Sequence, residues 1–292
     1  MVTRTAARPT KAAQEAPAAP QAAPRGADQS VVRPPLKWAG GKRWLVPHLK
    51  PLWEQAQSRD GDKLRLVEPL CGGLAVALGL MPERALLNDL NPHNVNFFRW
   101  LQRGLEVDIE MENERGLYDR HRDRFNQLIG DGWTESKEAA ELFYYLNRTC
   151  YNGLCRFNRA GRFNVPFGRH NSIKYARAFP EFPELMAGWE FSTGDFESIA
   201  LLPGDFIYAD PPYDVEFTQY SKEAFAWPEQ ERLAQWLAAH PGPVVLSNQA
   251  TERILKLYSE LGFALETHQA PRMISCNGDR TKATEVVAMR NL

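Results

Sequence analysis

One strand–turn–helix–strand pattern dictates the fold of this 292-residue chain more strongly than any other feature. Residues 64–70 and 85–90 are short apolar runs that predict two buried strands. Between them, a glycine pair at 71–73 predicts a tight turn, and residues 74–78 predict a helix. This order is a βαβ unit, which requires two parallel strands in one sheet. Asp89 closes the second strand about 20 residues after the first, where an acid accepts hydrogen bonds from ribose hydroxyls in nucleoside-binding folds.

The glycine turn predicts a nucleoside site without predicting a dinucleotide site. Gly72 allows the backbone to approach a ligand closely. The full G-x-G-x-x-G pattern is absent, so dinucleotide binding is not indicated. An ordinary βαβ unit also has a glycine turn and a strand-ending acid, and that alternative stays open from these residues alone.

A second strand end carries the most specific chemistry. Residues 205–209 predict a buried strand that must stop at Asp210-Pro211-Pro212-Tyr213, because proline supplies no ladder donor. The Asp210 carboxylate and the Pro211 carbonyl can accept hydrogen bonds from an exocyclic amino group. Tyr213 can stack on a flat heterocycle, a contact worth roughly 1–3 kcal/mol. A strand that merely ends in a proline turn is the plain alternative.

A glycine pair near the start of the folded part forms another candidate ligand loop. Lys37, Trp38 and Lys42 surround this pair, and a helix is predicted to follow. The spacing does not match a phosphate-binding Walker loop. The alternative is an ordinary helix start with Trp38 anchored in the core.

Residues from about 97 to 174 interrupt the alternation of strands and helices. Residues 115–129 and 137–148 predict helices, so the segment is expected to be a mainly helical insertion. Residues 142–180 contain seven Lys or Arg and no Asp or Glu. Basic residues interleaved with Tyr, Phe and Asn suit phosphates, stacked bases and base edges. A solvated basic loop is the alternative.

The α/β alternation resumes after the proline motif. Helices are predicted over 228–239 and 252–261, and a strand over 243–248. Residues 263–269 and 285–289 predict a closing antiparallel pair of strands.

Composition limits the class of protein. The net charge of −1 argues against indiscriminate polycation binding, so a nucleic-acid surface must be local. The four cysteines lack metal-ligand spacing and no apolar run is long enough to span a membrane, so a reduced, cytoplasmic protein without a metal site is expected. Residues 1–33 are rich in Ala, Pro and Gln, which predicts a disordered tail without a signal peptide.

Four ordered motifs resemble the Dam-type (D12 class) DNA adenine-N6 methyltransferases over about residues 35–289. They are LKWAGGK at 36–42, VEPLCGG at 67–73, YLNRTCYNGLCRFNRAGRFNVPFGR at 145–169 and DPPY at 210–213, and SCNGDRTK at 275–282 is similar to a further loop of that family. The resemblance implies an α/β, Rossmann-like, S-adenosylmethionine-dependent methyltransferase core with an inserted, mainly helical DNA-recognition subdomain. The expected division is a catalytic core at 34–97 and 175–292 and a target-recognition insertion at 98–174.

The resemblance also implies roles for individual residues. S-adenosylmethionine is the expected methyl donor, with double-stranded DNA as substrate and no metal. The implied cofactor contacts are Trp38, Lys42, Glu68, Gly72, Asp89 and Asp210. The implied catalytic residues are Asp210, Pro211, Pro212 and Tyr213, which would hold a flipped adenine. The implied DNA contacts are Lys37, Tyr151, Asn152, Leu154, Arg156 and Arg169, and GATC is the expected site.

Three rival functions remain open from the sequence. An N4-cytosine methyltransferase shares the chemistry, but its motif commonly begins with Ser where this chain has Asp210. An RNA adenine methyltransferase uses a related motif without the long basic insertion. A catalytically inactive DNA-binding relic would not bind cofactor. A monomer is expected, and a cognate restriction endonuclease is a candidate partner.

Overall fold

The computed structural model describes residues 32–61, 64–214, 225–270 and 283–292. The expected tail at 1–33, apart from its last two residues, and the loop at 275–282 lie outside these residues. Seven strands form one sheet in the order β3-β2-β1-β4-β5-β7-β6. Their bounds are β1 Leu66–Glu68, β2 Ala85–Asp89, β3 Trp189–Thr193, β4 Phe206–Ala209, β5 Val244–Gln249, β6 Ala264–Ala270 and β7 Ala283–Arg290.

The order of the strands places a ligand site at the centre of the sheet. Strands β3, β2, β1, β4 and β5 are parallel neighbours, while β7 runs antiparallel to both β5 and β6. The chain winds outward in one direction from β1 and in the other from β4. The crevice beyond the carboxyl ends of β1 and β4 is therefore a topological switch point, where open α/β sheets bind ligands. The predicted α/β, Rossmann-like core is confirmed.

The described residues contain eight α-helices. Their bounds are α1 Val46–Asp60, α2 Ala77–Leu80, α3 Pro92–Gln102, α4 Arg115–Gly130, α5 Lys137–Thr149, α6 Phe182–Leu185, α7 Trp227–Ala238 and α8 Glu252–Glu260. Capping residues explain where several of them begin. The side chains of Asn91, Ser136 and Thr251 accept from backbone N–H groups in the first turns of α3, α5 and α8.

Alternating side chains of the central strands enter two separate apolar clusters. Leu66 and Phe206 join the cluster that contains α1, α3, α4 and α5. Val67 and Ile207 join the cluster formed with α7 and α8. This alternation is the expected consequence of burying both faces of a sheet between helices.

The inserted segment shares a core with the sheet. Leu117, Phe125 and Tyr144 of its two long helices lie fully buried in the same cluster as Leu66. No helix in the described part of the chain has the length and apolarity needed to cross a membrane.

Two local predictions differ from the structure. The helix predicted over 74–78 begins only at Ala77, because Leu74 adopts a left-handed φ of 60° and extends the turn. Strand β3 was not predicted, since Trp189 and Phe191 alone give too short an apolar alternation to signal a strand.

Candidate active site

Asp210 lies at the carboxyl end of β4, with each carboxylate oxygen bound by a different element. Lys42 Nζ lies 3.0 Å from Oδ2, and the Ser247 hydroxyl of β5 donates to Oδ1 at 2.8 Å. Burial raises the pKa of Asp210, while Lys42 and Ser247 oppose that rise. The carboxylate is thus held in one orientation and keeps lone pairs for a further donor.

Lys42 joins the first glycine loop to the proline motif. Its side chain is 3% exposed, and its ammonium donates to the Gly40 carbonyl at 2.7 Å. The same ammonium lies 4.6 Å from the centroid of the Tyr213 ring, within cation–π distance. The structure therefore brings Lys42, Asp210 and Tyr213 together, although they are far apart in sequence.

Ser247 is a member of this cluster that the sequence interpretation missed. It is fully buried, and its hydroxyl also lies 2.9 Å from the Tyr208 hydroxyl. A polar pair, Ser247-Asn248, near the end of a predicted apolar strand was the available signal. Buried polar residues at the carboxyl end of a parallel strand point towards the ligand edge of the sheet.

Trp38 and Gly72 lie against each other beside the switch point. A Cβ atom on Gly72 would lie 2.5 Å from Trp38 Nε1, and one on Gly73 would lie 2.7 Å from Trp38 Cβ. Gly72 also has a φ of 48°, in the left-handed region. Glycine at these two positions is therefore required by the packing of the indole.

Asp89, at the end of β2, faces the same turn. Its Oδ2 accepts from the Gly72 N–H at 2.9 Å, and its Oδ1 accepts from the Asn91 N–H at 2.9 Å. The Asn94 amide donates to the Gly72 carbonyl at 2.6 Å. Burial raises the pKa of Asp89, and these N–H donors partly offset the rise. The Asn94 amide also donates to Oδ2, at 3.4 Å, so these three hydrogen bonds leave about one lone-pair site of the carboxylate for an external hydroxyl.

Glu68 is a buried acid at the end of β1. Its side chain is 3% exposed, and its Oε1 atom has no hydrogen-bond partner within the described residues. Burial raises the pKa of Glu68 to about 8, and the nearby charge of Asp210 adds to that rise. An incompletely bonded buried oxygen at a switch point is a feature of a binding site and not of an apolar core.

Lys37 lies against the inserted segment. The Asn147 side chain bonds both the backbone N–H and the carbonyl of Lys37, each at 2.8 Å. A Cβ on Gly153 would lie 2.5 Å from Lys37 Cβ, so the two backbones approach closely. Burial, together with the charge of Arg148, lowers the pKa of Lys37. The first glycine loop and residues 151–154 thus form one surface.

The remaining predicted DNA contacts occupy that surface or its margins. Tyr151 is 48% exposed, Asn152 has a left-handed φ of 54°, and Leu154 is half-buried. Arg156 donates to the Asn164 side chain at 2.8 Å and to its carbonyl at 3.1 Å. This contact lies beside an isolated antiparallel bridge between Phe157 and Phe163, which closes a hairpin. Arg169 is exposed, with a left-handed φ of 49°.

Comparison with known families agrees with this geometry. The model of the D12 class N6 adenine-specific DNA methyltransferases matches residues 38–274. That range includes the glycine loop, both strand ends and the inserted segment.

Curated relatives are similar over most of this chain. The DNA N-6-adenine-methyltransferase of Escherichia phage P1 is 34% identical over 84% of this chain, and the match spans only 33% of that longer protein. The retron Ec67 DNA adenine methylase of Escherichia coli is 32% identical over 87% of this chain and 90% of its own length. A DNA adenine methylase of Vibrio cholerae serotype O1 is 34% identical over 87% of this chain and 94% of its own.

Proposed function

Because the chain belongs to the D12 class of N6 adenine-specific DNA methyltransferases, we propose that it transfers a methyl group from S-adenosylmethionine to N6 of an adenine extruded from duplex DNA. The observation that carries this proposal is the cluster of Lys42, Asp210 and Tyr213 at the switch point of the sheet. It combines an oriented carboxylate with an aromatic face at the place where an α/β sheet holds its ligands.

The residues around the switch point fit S-adenosylmethionine. Gly72 and Trp38 form a close-packed wall, and Asp89 retains acceptor capacity suited to ribose hydroxyls. The buried Glu68 Oε1 and the Asp210 carboxylate are acceptors suited to a cationic amino acid moiety. We assign Trp38, Lys42, Glu68, Gly72, Asp89 and Asp210 to cofactor binding.

The proline motif supplies the groups that the target amine needs. When bound, S-adenosylmethionine supplies a methyl group on a positively charged sulfur. Asp210 and the Pro211 carbonyl accept hydrogen bonds from the N6 amino group, which orients its lone pair. Pro212 fixes the backbone, and Tyr213 stacks on the extruded ring. Extrusion costs a few kcal/mol, which these contacts offset.

The surface around Lys37 is assigned to DNA. Lys37 and Arg156 carry donors that match guanine O6 and N7, and Leu154 suits a thymine methyl group, which favours GATC as the site. Tyr151, Asn152 and Arg169 complete the DNA contacts, with Arg169 on a phosphate. We propose residues 98–174 as the target-recognition segment of a monomer.

One experiment tests this function against its rivals. Labelled S-adenosylmethionine is incubated with duplex DNA, and the product nucleosides are separated. Wild-type enzyme should give N6-methyladenine, and Asp210→Ala should lower the rate on the order of 100-fold or more. Glu260→Ala, which removes a surface ion pair with Lys256 on α8, is the matched control and should retain activity. N4-methylcytosine as the product, or no product from the folded wild type, contradicts the proposal.

A further inference from the structure

Two buried amides grip the backbone on both sides of Tyr213. Gln230 of α7 donates from Nε2 to the Pro212 carbonyl at 2.8 Å. Asn248 of β5 accepts from the Asp214 N–H at 3.4 Å. Asn248 Nδ2 also donates to Gln230 Oε1 at 2.9 Å, so the two amides form one connected clamp.

The clamp is shielded from water. Gln230 is 2% exposed and Asn248 is 0% exposed. A buried polar group that loses its partner keeps the full cost of its desolvation, so these hydrogen bonds resist rearrangement. Asn248 Nδ2 is further fixed by the Tyr258 hydroxyl of α8 at 3.0 Å. The clamp therefore fixes the backbone of residues 212–214 to strand β5 and to helices α7 and α8.

The residue after Tyr213 is anchored separately. The Asp214 carboxylate is 7% exposed, forms a salt bridge with Arg253 and accepts from the Thr251 hydroxyl at 3.2 Å. Thr251 caps α8, so this anchor ties the loop to the start of that helix. Between these two anchors, the Tyr213 ring lies against the Lys42 ammonium, whose Nζ is 4.6 Å from the ring centroid.

We propose that Gln230 and Asn248 are positioning residues that set the plane of the Tyr213 ring for stacking on the target base. This inference rests on the proposed function, since it takes Tyr213 as the stacking residue. Neither amide touches the substrate; both act through the backbone of residues 212–214. A displacement of about 1 Å in a positioned group can cost on the order of 100-fold in rate, so a loosened clamp should be visible kinetically.

The test is a double-mutant cycle with single-turnover methylation of duplex DNA. Gln230→Met removes the donor while preserving length, and Gln230→Asn keeps an amide that is one methylene too short. Each is combined with Tyr213→Ala. Gln235→Met is the matched control, because Gln235 lies on the same helix α7 and its side chain is exposed. Thermal unfolding confirms that each variant is folded, and binding of S-adenosylmethionine is measured directly.

The expected pattern is specific. Each Gln230 variant should lower the rate on the order of tenfold in the wild-type background and leave cofactor affinity unchanged. In the Tyr213→Ala background the same substitutions should have no further effect, because their only route to the reaction is gone. Gln235→Met should match the wild-type rate.

Other outcomes overturn the inference in distinguishable ways. If a Gln230 substitution lowers the rate by the same factor in the Tyr213→Ala background as in the wild type, the positioning role is excluded. A wild-type rate in both folded Gln230 variants would also exclude it. Neither result contradicts the proposed function. A wild-type rate in Tyr213→Ala would remove the stacking role from the proposed function, and this inference would fall with it.

Discussion

Asp210 shows how one side chain is prepared for two tasks. Lys42 lies 3.0 Å from one of its oxygens, and Ser247 donates to the other at 2.8 Å. A carboxylate offers about four lone-pair sites, so two remain for substrate and cofactor. Burial favours the neutral acid and raises the pKa of Asp210, while the two partners oppose that rise and favour the anion, the form that accepts the N6 donors in the proposed function.

Removing one of these partners should shift the pH dependence of the reaction. In Ser247→Ala, Asp210 loses a donor that favours its charged form, so its pKa should rise further. The acid limb of the kcat/KM profile should therefore move to higher pH. Ser198→Ala, whose hydroxyl donates to the Asp195 carbonyl on the surface, is the control. An unshifted acid limb in a folded Ser247→Ala variant would show that Ser247 does not tune Asp210.

Glu68 predicts a pH dependence of stability. Its pKa is raised from 4.5 to about 8 in the folded state, so the folded chain keeps a proton that the unfolded chain releases. The free energy of unfolding should therefore fall as pH rises from about 4.5 to about 8. Glu68→Gln lacks this titration. The free energy of unfolding of Glu68→Gln minus that of the wild type should therefore increase as pH rises across that range. Urea unfolding at about pH 5 and about pH 8 measures the difference. Parallel pH curves for the two proteins would contradict the assignment.

Between elements, the start of α3 links the proposed cofactor site to the recognition surface. The Asn91 side chain caps α3 at 3.0 Å and donates to Cys155 Sγ at 3.1 Å, while its backbone N–H bonds Asp89. The His93 ring stacks on Phe157 at 4.9 Å. The start of α3 therefore contacts both Asp89, the proposed ribose-binding acid, and the hairpin of the insertion.

Substitutions of Asn91 can separate its two side-chain roles. Asn91→Ala should lower the free energy of unfolding by about 1 kcal/mol from the lost cap, in addition to the loss at Cys155. Asn91→Ser retains a capping oxygen but has no amide to reach Cys155, so it should recover most of the stability. Chemical denaturation measures both variants. Equal losses in the two variants would show that the cap contributes little.

Arg169, the proposed phosphate contact, should contribute to the affinity for DNA without contributing to sequence specificity. Arg169→Gln keeps the length of the side chain and removes its charge, so the slope of log K against log salt should fall by about 0.9 for duplex DNA. The ratio of affinities for cognate and non-cognate duplexes should stay constant, because a phosphate contact carries no sequence information. Lys256→Gln on α8, whose partner is Glu260, is the control and should leave the slope unchanged. A changed specificity ratio in Arg169→Gln would instead place this residue at a base.

For the molecule as a whole, local patterns predicted the elements better than they predicted the contacts. Strands β1, β2, β4 and β5 were predictable because buried parallel strands are continuous apolar runs. The rule that parallel strands present their carboxyl ends at one edge also placed Asp89 and Asp210 together. The pairing of Lys42 with Asp210 and the amide clamp were not predictable. They join residues from separate elements, and their partners are decided by how the helices pack on the sheet.

The sequence alone also could not show what the insertion packs against. Its helices share an apolar cluster with the sheet. Lys37 contacts the insertion through Asn147, near the end of α5. The first glycine loop therefore reaches the proposed cofactor site through Lys42 and the proposed DNA surface through Lys37. In the proposed function, this loop therefore connects DNA recognition to methyl transfer.

Methyl transfer to two duplexes that differ only in GATC versus GTTC tests the central claim most directly. Labelled S-adenosylmethionine and nucleoside analysis report the amount and identity of the product. N6-methyladenine in the GATC duplex alone is predicted, since the proposed function assigns reading of the site to the Lys37 surface and methyl transfer to the Asp210 cluster. Equal N6-methyladenine in both duplexes would contradict the proposed site, and no transfer to either by folded enzyme would contradict the proposed activity.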